Sequence, residues 1–167
     1  GMPHLMKSFT DTLGRTWTIV VNVATIKRVR ALCDVDLNAI IEVDDGKPSA
    51  ELLERLSEDP VLLVDVLYAV CKPECDKKNV SDEDFGAAMA GDAIDQATSA
   101  LLDEVIDFFP EAKRLAFRKI LSASRRFAHV ARKRMEALMA DGTFEDELVS
   151  ELERLTGLSP SAPESVE

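Results

Sequence analysis

Residues 16–21 place Trp17, Ile19 and Val21 on one face of a strand and Thr16, Thr18 and Val20 on the other. Residues 5–9 have the same strand-like make-up. Asp11 to Arg15 lies between them as a turn, with Gly14 available for positive φ. After Asn22 the period changes and the apolar positions recur at helical spacing. Asn22 caps a first helix with Val23, Ile26, Val29 and Leu32 or Cys33 on one face. A short turn runs from Asp36 through Ile41, residues 44–48 form a loop, and Ser49 caps a helix through Leu56. Asp59 and Pro60 begin the next helix as cap and first helical residue. Residues 61–71 are apolar nearly all round, which marks a central buried helix, and Lys72-Pro73 ends it. Ser81 heads a capping box before Phe85 and Met89. Gly91-Asp92 restarts a helix to Phe109, with Ile94, Ala97, Leu101, Val105 and Phe108 on one face. Pro110 opens a helix of about 30 residues to Ala140. Asp141-Gly142 breaks it, and Thr143 caps a last helix to Leu155. These elements predict a mainly helical α+β fold. An N-terminal β-hairpin packs on a bundle of about six helices, in one domain over residues 2–157, with a disordered tail at 158–167.

Composition adds three exclusions. Aromatic residues are only 5% of the chain, so aliphatic side chains build the core. The longest apolar run, residues 60–71, is interrupted by Asp65 and falls short of the ~20 residues that cross a bilayer. No apolar segment follows a basic start, so no secretory signal is expected. Three cysteines are too few for a disulfide framework and match reduced thiols in a cytoplasm.

The net charge of −11 is unevenly placed. Residues 1–33 carry +4, residues 34–107 carry −15, residues 108–140 carry +7 and the remainder −7. Bulk acidity disfavours nucleic acid or an anionic membrane as the main partner. Alternating blocks favour internal complementarity or a protein partner selected by sign.

Candidate chemistry is sparse. Cys71 and Cys75 have C-x3-C spacing, but a structural zinc wants four ligands, and Cys33, His4 and His129 supply no second pair. A buried thiol at a helix end (Cys71), a loop thiol (Cys75) and no cofactor are expected. Asp34-x-Asp36-x-Asn38 opens like a calcium loop, yet Ala39 stands where the loop needs glycine and Asp45 where a bidentate glutamate is usual. Asp65, inside the apolar helix, is expected at a seam, meeting an arginine or a helix N-terminus. No catalytic or nucleotide-binding signature occurs, so a non-enzymatic chain is expected. The remaining candidate is a basic stripe on the long helix, made by Arg114, Arg118, Arg125, His129, Arg132 and Lys133. At 100° per residue all six lie within about 60° of a common centre line. Such a stripe is a solvated helix face or docks on this chain's own acidic segment, or else it binds phosphate, nucleic acid or an acidic protein.

Two stretches carry a resemblance: FTDTLGRTWTIVVNVATIKRV over residues 9–29, and residues 52–110, including SEDPVLLVDVLYAVCKPE and VSDEDFGAAMAGDAIDQATSALLDEVIDFFP. They resemble small proteins of tail-gene clusters in tailed phages and prophages, the tail assembly chaperones. Residues 111–155 lie outside the likeness. The resemblance implies a protein of the bacterial host cytoplasm that binds a tape-measure-like chain and keeps it soluble until the tail tube forms. The other reading is a nucleic-acid-associated regulator that uses the basic helix at 111–139.

Overall fold

The computed structural model describes residues 7–160. Among them the fold is mainly helical with two small antiparallel strand pairs, as the change of period predicts. The chain divides into two compact units, the first ending at Arg118 and the second beginning at Lys119.

The first unit opens with β1 (Lys7–Thr10) and β2 (Thr16–Ile19), paired so that Phe9 faces Trp17. Residues 5 and 6 of the expected first strand lie outside the described residues, as do 161–167 of the expected tail. Gly14 takes φ 82° in the turn, a conformation that costs a glycine nothing. The Asp11 carboxylate organises this turn. It accepts from the Leu13 and Arg15 amides at 3.0 and 2.9 Å, and from Arg15 Nε at 2.8 Å. The indole Nε1 of buried Trp17 donates to it at 2.9 Å.

α1 (Val23–Cys33) begins in a reciprocal box: Asn22 Oδ1 accepts from the Thr25 amide, and Thr25 Oγ1 accepts from the Asn22 amide. Its core-facing stripe differs from the expected one. Thr25, Ile26 and Val29 are buried, while Val23 and Leu32 are exposed. Thr25 Oγ1 bonds to Val20 O at 2.8 Å, which holds that side chain inward and sets the rotation of the helix. A 3-10 turn follows at Leu37–Ala39.

The expected loop at 44–48 is instead a hairpin of β3 (Glu42–Asp44) and β4 (Lys47–Ser49). Asp45 and Gly46 form its two-residue turn, both with positive φ, 49° and 74°. Ser49 is therefore a strand residue opposite Glu42 and does not cap α2 (Glu51–Glu58). The residue before that helix is Ala50, which makes no side-chain cap bond.

α3 (Pro60–Lys78) starts as predicted, with Asp59 accepting from the Leu62 amide at 3.1 Å. It does not stop at Lys72-Pro73 but continues to Lys78, closed by Asn79 in a left-handed conformation. Pro73 has no N–H to give to the carbonyl of Ala69, one turn earlier. Arg28 of α1 fills the gap: its Nε donates to Ala69 O and its Nη2 to Val70 O. A hydrogen bond from a charged donor contributes roughly 1.5–3 kcal/mol, so Arg28→Ala should destabilise by about that amount. In a Pro73→Ala background the restored amide serves Ala69 O and the loss should shrink. A double-mutant cycle in urea reads the difference, and equal losses in both backgrounds would refute this account.

α3 also seals the hairpin. Glu74 Oε1 accepts from the Thr18 amide at 3.0 Å, and Lys78 Nζ donates to Thr16 O at 2.9 Å. The outer edge of β2 is thereby occupied by side chains rather than left open for another strand. α4 (Asp82–Ala87), capped by Ser81, places Phe85 edge-on to Trp17 at 5.3 Å. α5 (Asp92–Phe108) buries Ala97, Leu101 and Val105 as predicted. Phe109, not Phe108, is the fully buried aromatic at its end. α6 (Glu111–Ala140) begins in the first unit, with Phe117 buried 5.9 Å from Phe109 between ring centres, and runs into the second. α7 (Thr143–Thr156) follows after Asp141-Gly142. Its capping residue is Gly142, and the Asp141 carboxylate accepts from the Thr143 amide at 3.0 Å, so Thr143 is the first helical residue rather than the cap. No helix among the described residues is long and apolar enough to cross a membrane.

Candidate functional site

The acidic and thiol candidates of the first unit are engaged in local structure. Asp34 is the left-handed residue that ends α1. Asp36 caps the 3-10 turn through the Asn38 amide at 3.0 Å and pairs with Arg30 at 3.1 Å. Ile41 is buried, and Asp45 heads the β3–β4 turn. The calcium-like spacing is thus occupied by a helix end, a turn and a hairpin. Among the described residues no group of three or more His, Cys, Asp or Glu side chains is placed to hold a metal; His4 lies outside them. Asp65 is exposed on α3 and not at a buried seam. Residual burial and the carboxylates of Asp82 and Asp59 push its carboxyl upward.

Cys71 and Cys75 lie one turn apart on α3, both buried; because α3 continues past Pro73, Cys75 is a buried helix residue and not the expected loop thiol. Burial, with Cys75 and Glu74 adding repulsion, holds the Cys71 thiol far above the ordinary range. Burial, with Asp76 and Glu74, pushes Cys75 up to about 11. Half-buried Cys33 donates to Asp65 O at 3.4 Å and is raised by burial, Asp65 and Asp82. Thiolate is the reactive form, so a disulfide reagent at mildly alkaline pH should find all three slow, with Cys33 first. Denaturation should release all three. Rapid titration of two thiols in the folded chain would contradict this burial.

A hollow of about 390 Å³ between β2, α1 and α3 is lined by Asn22, Arg28, Cys71, Pro73 and Glu74, among others. Asn22 is the α1 cap, Arg28 serves the carbonyls before Pro73 and Glu74 serves the Thr18 amide. Three of its polar side chains thus have structural tasks.

The basic stripe has two fates along α6. Arg114 is partly buried, and Arg118 pairs with Asp107 of α5 at 3.4 Å. Off the stripe, Lys113 behaves similarly: its Nζ donates to Asn38 O and lies 4.4 Å from the centre of the Phe109 ring. Lys113 and Arg118 are thus engaged within the first unit. Arg125, His129, Arg132 and Lys133 are exposed, and the nearest acid to Lys133 is Glu136 on the same helix at 3.6 Å.

A second surface was not among the sequence candidates. From residue 122 onward every residue of α6 is exposed, and α7 contains no buried residue. Yet both helices are amphipathic. On α6, Phe127, Ala131, Met135 and Leu138 share a face by helical spacing, and Phe127 is 79% exposed. On α7, Phe144, Leu148, Leu152 and Leu155 do the same. The signal lay in the spacing of these residues, but spacing does not say whether a face is covered. No family model matches the chain, and neither does any curated protein or solved structure.

Proposed function

We propose that this chain is a non-enzymatic interaction protein of the tail assembly chaperone kind, holding a tape-measure-like helical chain in soluble form. The observation that supports it is the second unit, where the basic face of α6 stands exposed from Arg125 onward. Helices of this kind are marginal alone and are stabilised by packing against another chain. Arg125, His129, Arg132 and Lys133 form the partner-binding part of the stripe; within the first unit Arg118 pairs with Asp107. The stripe selects a helix with an acidic face. No metal, cofactor or catalytic residue enters this role.

Co-expression tests it. A tape-measure-like protein should be soluble with the wild-type chain and insoluble without it. The variant Arg125→Glu with His129→Glu should lose the partner while keeping its own fold, because neither side chain is buried. Tight DNA binding that falls steeply with salt would instead favour the regulatory, nucleic-acid reading and overturn this one.

A further inference from the structure

The apolar faces of α6 and α7 are both exposed in the same chain, so they do not cover one another. We propose that a second copy of this chain covers them, with α7 of each copy lying on the distal half of α6 of the other. This goes beyond the partner reading, since it concerns the apolar face of α6, which meets the stripe only at Arg132, and is tested on the chain alone without that partner.

Charge complementarity identifies the occupant. Residues 119–140 carry six basic side chains and one acidic. α7 carries five acidic side chains and one basic. At 100° per residue, Arg132 and Arg134 border the apolar face of α6 on its two sides, with Arg126 beyond Arg134. Glu145 borders that of α7 on one side, and Glu147 and Glu151 border it on the other. Two copies of α6 therefore repel, as do two copies of α7, while α6 and α7 attract and bury their apolar faces together. The lengths agree: residues 127–140 of α6 match the 14 residues of α7, roughly 21 Å each at 1.5 Å per residue.

The area is sufficient. The seven large apolar side chains on these two faces, from Phe127 to Leu155, are 40–79% exposed. Together they offer a surface on the order of the ~800 Å² per partner that a stable complex covers. The contact is isologous, since each copy gives one α6 and one α7 and receives the same.

Light-scattering mass across a sizing column tests this, with the purified chain alone at high micromolar concentration and low salt. The wild type should have twice the single-chain mass of 18.4 kDa. Glu145→Lys, Glu147→Lys and Glu151→Lys together should give a single-chain mass. So should Arg126→Glu, Arg132→Glu and Arg134→Glu together. An equimolar mixture of the two triple variants should recover the two-chain mass, because each reversed helix then meets its opposite across chains. Pairing within one chain does not permit that rescue. Leu148→Glu with Leu152→Glu should also be single-chain with unchanged helical circular dichroism, since neither residue is buried. A wild type of one chain, or of more than two, would overturn the proposal. A triple variant that keeps the two-chain mass, or a mixture that stays single-chain, would overturn it equally.

Discussion

Truncating Leu67 to alanine is expected to lower the free energy of unfolding by roughly 2–5 kcal/mol, the range for a large core side chain cut to a methyl. Leu67 is fully buried at the middle of α3. That helix contacts α1, α2, α4, α5 and β2, which places it at the centre of the first unit's core. Domains are stable by only about 5–15 kcal/mol, and this single change removes a large part of that margin. Trp17 is the only tryptophan and is buried in the first unit, so its fluorescence follows unfolding of that unit in urea. Val61→Ala on the same helix is the control. Val61 is 71% exposed, and its truncation should stay within about 0.5 kcal/mol. A Leu67→Ala loss no larger than that of Val61→Ala would remove α3 from the centre of the core.

The contrast between those two residues separates what periodicity reveals from what it conceals. The start of α3 was legible because Asp59 and Pro60 act within one turn of themselves: one accepts an orphan amide, the other has no amide to orphan. The same locality made Asn22 and Ser81 readable as caps. The end of α3 was not legible, because what carries it past Pro73 is an arginine about 40 residues earlier in the chain. The β3–β4 hairpin was hidden differently. All six of its strand residues are exposed, so no alternation of apolar and polar positions marked them, and only the Asp45-Gly46 pair signalled a turn. Asp65 shows the converse error. An acid within an apolar run reads as buried, but on α3 it falls at one of the exposed positions, on the same solvent side as Val61. The basic stripe was legible as a face of α6, yet charge alone did not divide Arg118, which meets Asp107, from Arg125 onward, where the surface is open.

Asp11 carries the second large effect, and acid should reveal it. Its carboxylate is nearly inaccessible and accepts four hydrogen bonds, two from backbone amides, one from Arg15 and one from the Trp17 indole. Burial raises its pKa, but the bonds from Trp17 and Arg15, together with the Arg15 charge, outweigh this and leave it below the ordinary value. Asp11→Ala removes the acceptor and leaves the indole N–H and two amides facing a void. Leaving a buried donor unsatisfied costs roughly 1–3 kcal/mol, and a loss of at least that size is expected near neutral pH. The sign of the pH dependence follows from the lowered pKa. The unfolded chain takes up this proton near pH ~3.9 and the folded chain only at lower pH. The stabilisation is therefore complete above that unfolded value and is lost as pH falls through the folded one. Urea midpoints of wild type and Asp11→Asn, compared from neutral to strongly acidic pH, isolate this group from the other acids, which both chains share. The gap between the two should be widest at neutral pH and should close on acidification. A gap that stays constant across that range would mean that the Asp11 contribution does not depend on its charge, and that the turn is held by shape alone.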